Sequence, residues 1–174
     1  GNVRGTANNY LNITGASIVE RTVQVNGSIE TILSNANNEA YVFTSDNSKG
    51  ILYTVNSGAS HTLVSGYQFR TTEKPSASCI TANGNMLILS NLGAFYTKSS
   101  LGVFSKSYNS PATLNGIDVK NQKGMAVGNA GVFLNTGNNG RTWHYQGQYA
   151  VAVNTYVNFN DVYLNNDGSA YVLG

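Results

Sequence analysis

Catalysis needs titratable groups that converge, and this sequence offers few. Its acids are Glu20, Glu30, Glu39, Asp46, Glu73, Asp118, Asp161 and Asp167. Only two stand in matching surroundings: Asp118 in Gly-Ile-Asp-Val and Asp161 in Phe-Asn-Asp-Val, each entering an apolar run. Two carboxylates facing one cleft at roughly 5 to 9.5 Å would make a glycoside-hydrolysing pair. The competing use is local, since Asp at the start of a strand readily accepts backbone N–H groups. His61 and His144 lack His-x-His or Glu-x-x-His spacing, so no metal is expected, and no cofactor either. Cys79 is the single cysteine; it lies in a strand-like run and reads as a small buried hydrophobe rather than a nucleophile. No Gly-x-Ser-x-Gly elbow occurs. Asp46-Asn47-Ser48 and Asn165-Asn166-Asp167-Gly168 carry part of a calcium loop's ligand pattern without the distal Glu, and read as turns. Asn12-Ile13-Thr14 and Asn26-Gly27-Ser28 are formal glycosylation sequons, expected by chance in an Asn-rich chain.

Aromatic side chains are the remaining chemical resource, with 11 Tyr, 6 Phe and one Trp. Tyr145, Tyr149 and Tyr156, with Gln148 and Asn154, have the residue types of a contact surface for a sugar or a protein. Their ordinary use is packing on half-buried strands. Charge is scarce, at 10% of residues against roughly 25% in an average soluble protein. The net charge of +2 contains no basic run, which argues against nucleic-acid binding. No apolar run approaches the roughly 18 residues of a membrane-spanning helix.

The elements that must position these residues are strands. Asn and Gly supply turns, while Tyr, Val and Thr fit a pleated surface, and no window shows a helical apolar face. Apolar anchors at Ile32-Leu33, Cys79-Ile80, Asp118-Val119 and Asp161-Val162 recur about 38 to 48 residues apart. That is near the roughly 40 to 45 of a four-stranded propeller blade. After each anchor comes a polar turn (35–38, 82–85, 121–124, 165–168) and a second apolar run, and in three units a third strand opening on Gly50, Gly93 or Gly131. Thr71 to Ser78, with Pro75, reads as an exposed loop between units, and Tyr149 to Val157 as a strand or projecting hairpin.

The stretch Thr136-Gly137-Asn138-Asn139-Gly140-Arg141-Thr142-Trp143 resembles the Asp-box, or BNR repeat, of sialidase-like and photosystem-assembly-factor-like β-propellers. Asn138 stands where that consensus has Asp. The resemblance implies a structural turn between the third and fourth strands of a blade, formed by Thr136, Asn138, Gly140 and Thr142. It also implies that Trp143 packs between blades. It does not carry sialidase activity here: no Arg-Ile-Pro motif exists, and Arg141 lies inside the box itself.

The expectation is therefore one all-β, propeller-like domain over residues 1–174, with about four units of four antiparallel strands near 29–70, 78–110, 115–150 and 159–174 plus 1–28. Two arrangements fit: N-terminal strands that complete the last blade, or a segment of a larger propeller. The leading functional expectation is a non-enzymatic structural or interaction module whose partners are other protein subunits. Its composition is similar to bacteriophage tail and virion proteins of nozzles, hubs and fibres, which would place it in a virion or on an extracellular surface. The alternative is a module recognising surface glycans through Tyr145, Tyr149, Asn154 and Tyr156. A propeller glycoside hydrolase using Asp118 and Asp161 ranks third.

Overall fold

The computed structural model describes residues 2–4, 9–14, 17–34, 39–46, 50–64, 72–98, 104–152 and 155–174. Its strands pair antiparallel throughout. Among the described residues the only helical element is a 3-10 turn at Asn129–Gly131. Two compact units emerge, Gly1–Pro75 and Ser76–Gly174.

In the first unit β1 (Asn2–Arg4), β2 (Asn9–Thr14) and β3 (Ser17–Thr22) form a three-stranded sheet of their own. A four-stranded meander follows: β4 (Ile29–Ser34), β5 (Ala40–Thr44), β6 (Ile51–Thr54) and β7 (Thr62–Leu63). β1 lies against β4, and Tyr10, Val23, Val25, Ile29, Val42 and Leu52 form the buried cluster. The expected turn at 35–38 and the end of the expected fourth strand, 65–69, lie outside the described residues.

The second unit repeats the meander. β8 (Pro75–Ile80), β9 (Met86–Ser90), β10 (Ala94–Lys98) and β11 (Phe104–Asn109) make one four-stranded sheet. β12 (Leu114–Lys120), β13 (Lys123–Gly128), β14 (Val132–Thr136) and β15 (His144–Gln148) make the next. A small hairpin, β16 (Ala150–Ala152) with β17 (Thr155–Tyr156), precedes the pair β18 (Asp161–Leu164) and β19 (Ala170–Leu173).

Every residue of β9 is buried, so it reads as an unbroken apolar run rather than an alternation; both of its faces are covered. Leu87, Leu89 and Phe95 from the β8–β11 sheet join Leu114, Leu134 and Trp143 from the next in one core. Lys120 pairs with Lys123 across Asn121 (φ 49) and Gln122 (φ 71), the doubly left-handed two-residue turn that suits the strand twist. The expected exposed loop at Thr71–Ser78 is corrected: Glu73 is buried, and β8 begins at Pro75. Proline is compatible with that position because it opens an edge strand, where its missing N–H breaks no ladder.

Candidate functional site

Thr136 ends β14, and its hydroxyl organises the turn that follows. It donates to Asn138 Oδ1 at 2.9 Å and accepts the N–H groups of Asn138 (3.3 Å) and Gly140 (3.1 Å). Asn138 Oδ1 also accepts Thr142 N–H at 3.0 Å, while Asn138 Nδ2 donates to Thr142 Oγ1 at 2.8 Å. Asn139 (φ 59) and Gly140 (φ 77) occupy the left-handed region that closes the loop. Trp143 then turns inward at 6% exposure, its ring 4.7 Å from that of Phe95. Of the five positions singled out by sequence, Thr136, Asn138, Gly140 and Thr142 thus come together as one hydrogen-bonded turn, and Trp143 follows it into the core. Trp143 Nε1 is buried within it and makes no hydrogen bond.

A second copy of this turn went unread in the sequence. In Thr54-Val55-Asn56-Ser57-Gly58-Ala59-Ser60-His61, Thr54 Oγ1 donates to Asn56 Oδ1 (2.8 Å) and accepts Asn56 N–H (3.4 Å) and Gly58 N–H (3.1 Å). Asn56 accepts Ser60 N–H at 3.0 Å and donates to Ser60 Oγ at 2.9 Å. Ser57 (φ 58) and Gly58 (φ 82) repeat the left-handed pair. The signal was Thr, Asn, Gly and a hydroxyl residue at alternate positions; a Trp-ended template hides it because His61 stands at the last place. Both glycines dock on the second strand of the preceding sheet. A Cβ at Gly140 would lie 2.4 Å from Leu87 Cδ1, and one at Gly58 would lie 2.1 Å from Tyr10 Oη.

Where the second unit packs an indole, the first pairs His61 with Tyr10. Tyr10 Oη lies 3.0 Å from His61 Nε2, with the rings edge-on. Arg21 Nε donates to Ser57 O at 2.9 Å, as does Asn12 Nδ2 at 2.8 Å, fixing the turn to β2 and β3. Burial, with Arg21 adding to it, pulls the imidazole below its ordinary pKa, so His61 is neutral at pH 7. Burial raises the Tyr10 phenol. Beside this pair opens a cleft of about 420 Å³ lined by Thr22, Val23, Gln24, Leu52, Ala59, Ser60, His61 and Leu63.

The two matched acids are engaged by backbone. Asp118 Oδ2 accepts Leu164 N–H at 2.9 Å and lies 3.3 Å from Lys120 Nζ; Asp161 Oδ1 accepts Val162 N–H at 2.8 Å. Lys120 Nζ donates to Leu164 O at 2.6 Å and sits 3.6 Å from the centre of the Tyr163 ring. Together these groups clasp β12 to β18. Asp167 accepts the Ser169 hydroxyl (2.7 Å) and N–H (2.9 Å), which pulls its carboxyl below the usual range and makes 165–169 a turn. Cys79 packs partly buried on the core; burial, reinforced by Asp118, pushes its thiol up to about 12. Among the described residues no three His, Cys, Asp or Glu side chains come together.

Tyr145, on β15, Tyr149, between β15 and β16, and Tyr156, on β17, are 44%, 55% and 46% exposed. Asn154 lies outside the described residues. Gln148 Nε2 donates to Ala130 O at 3.0 Å, and the Tyr149 ring leans on Phe159 at 6.2 Å. The projecting-hairpin reading of this region matches β16 and β17. Among the described residues no helix is long and apolar enough to cross a membrane.

No protein-family model matches the sequence, and no curated protein matches it either. Solved structures do. The extracellular domain of BT4673 from B. thetaiotaomicron superposes with a TM-score of 0.71 at 9% identity, over 97% of this chain and 24% of that one. An ancestral GH74 enzyme gives 0.66 at 14% identity, over 85% of this chain and 22% of that one. YCF48 from Cyanidioschyzon merolae gives 0.56 at 13% identity, over 98% and 75%. The chain thus spans about a quarter of the length of the first two. At such identities the likeness concerns architecture alone, and these neighbours are β-propellers. The chain has the all-β architecture of a propeller or of a segment of one.

Proposed function

We propose that the chain is a non-enzymatic propeller module that serves a larger protein assembly by presenting turns and strand edges to other subunits. The observation that carries this reading is the engagement of Asp118 and Asp161. A hydrolytic pair needs carboxylates free to protonate a leaving group and to attack or activate water, whereas these two accept the backbone N–H groups of Leu164 and Val162. The two Thr-Asn-Gly turns, read as boxes of the Asp-box kind, are rigid joints rather than reactive loops. Low charge with many Asn and Gly residues favours an assembly of the bacteriophage tail or virion sort, or one on an extracellular surface.

The likeness to GH74 enzymes makes hydrolysis the rival to exclude. Incubating the pure chain with xyloglucan and other soluble glucans should release no new reducing ends, and Asp118→Asn and Asp161→Asn should alter stability only. Turnover that disappears in both variants would overturn the proposal. A second reading, recognition of a surface glycan, draws on the exposure of Tyr145, Tyr149 and Tyr156.

A further inference from the structure

The cleft of the first unit lies beside the last position of a turn that shares its hydrogen-bond pattern with Thr136–Thr142 but ends on His61 instead of a tryptophan. Thr136–Thr142 delivers the indole of Trp143 into the space against the preceding sheet, where it packs on Phe95. Thr54–Ser60 delivers only an imidazole, and about 420 Å³ beside it stays open. We infer that this cleft binds a small, neutral, polyhydroxylated ligand of the size of a monosaccharide ring, with Ser60 and His61 as its polar wall and Val23 and Leu52 as its floor.

The size falls within the roughly 300–1,000 Å³ typical of small-molecule sites, and an apolar floor with a few polar groups is their usual make-up. Among the described residues the lining is Thr, Val, Gln, Leu, Ala, Ser, His and Leu, with no carboxylate, ammonium or guanidinium. Such a lining offers nothing to offset the desolvation of an ionic ligand. Arg21 is tied to Ser57 O and is not among the lining residues.

Hydrogen-bonding capacity remains at the wall. Ser60 Oγ accepts from Asn56 Nδ2, which leaves its hydroxyl proton to donate. The Tyr10 phenol engages His61 Nε2, which leaves Nδ1 for a ligand hydroxyl, as a donor in one imidazole tautomer and an acceptor in the other. The Thr54–Asn56 bonds and the docking of Gly58 on Tyr10 hold this wall in place before any ligand arrives, which lowers the cost of binding. This goes beyond the function proposed above, because the ligand sits in the first unit rather than on the tyrosines of the second.

The test is an NMR titration of the whole chain with glucose, galactose and N-acetylglucosamine. Saturable shifts at the amides of Val23, Leu52, Ser60 and His61 are expected with at least one of them. His61→Trp, which refills the cleft, and Leu63→Trp, which narrows it from an exposed rim position, should each weaken binding about tenfold or more. Tyr149→Ala should leave it unchanged. Should His61→Trp fail to fold by circular dichroism, Leu63→Trp decides. No saturable shift with any sugar, or binding untouched by the folded cleft variants, overturns the inference. Binding lost in Tyr149→Ala and kept in the cleft variants also overturns it, and assigns the sugar to the second unit. None of these readouts measures hydrolysis, so failure here and failure of the non-enzymatic proposal stay distinguishable.

Discussion

Asn138 uses both ends of its amide: Oδ1 accepts from Thr136 Oγ1 and Thr142 N–H, and Nδ2 donates to Thr142 Oγ1. A carboxylate would keep the first two bonds and take the Thr142 hydroxyl as a donor in place of the third. Asn138→Asp should therefore leave stability within about 0.5 kcal/mol, whereas Asn138→Ala should cost about 1 kcal/mol by removing the side-chain bonds that hold this exposed turn closed. Denaturant titration of both variants measures this, and equal losses would refute the argument. His61 gives a pH prediction. Its folded pKa is depressed by burial and then by Arg21, so the fold disfavours the charged form. The stability that neutral His61 contributes is complete above the unfolded value of about 6.5 and is lost as pH falls through the folded value. Urea midpoints should fall as the pH drops from about 6.5 towards the folded value, and His61→Gln should flatten this limb of the curve. Cys79, pushed up to about 12, should resist alkylation at pH 8 in the folded chain and react once unfolded.

At the scale of elements, the clasp between β12 and β18 explains why the two acids that looked catalytic are structural. Asp118 holds Leu164 N–H while Lys120 holds Leu164 O, so one residue of β18 is gripped from both sides. Asp118→Ala should cost about 1–3 kcal/mol, since a hydrogen bond to a charged group is lost. Faster amide exchange at Val162–Leu164 than at β9 would localise the loss, and uniform exchange would deny it. The strands themselves were legible because each buried run, such as Met86–Ser90, is bounded by turns whose Asn and Gly residues announce themselves. The start of β8 was not, because Glu73 and Pro75 look like loop residues, and only tertiary contact buries them. The turn at Thr54–Ser60 was hidden for a similar reason: what defines it is a pattern of hydroxyl and amide bonds, which Ser and His satisfy as well as Thr and Trp.

At the scale of the molecule, the last pair of strands differs from the four-stranded meanders. In β18 the alternation is clean: Val162 and Leu164 are buried, while Tyr163 faces out at 57% exposure. On β19, Tyr171 opposite Tyr163 and Leu173 opposite Asp161 are 72% and 64% exposed, and a shallow cleft of about 240 Å³ lies among Asp161, Tyr163, Tyr171 and Leu173. In the sheet topology β19 has β18 on one side and no described strand on the other. An open edge beside an exposed aromatic face is a template for further pairing. The chain should therefore self-associate as concentration rises, measured by size-exclusion chromatography with light scattering. Leu173→Lys places an ammonium on this edge strand and should shift the population towards monomer without lowering the melting temperature, because Leu173 is 64% exposed. A wild-type chain that stays monomeric at every concentration would show that the open edge is protected, and association unchanged by Leu173→Lys would move the contact elsewhere.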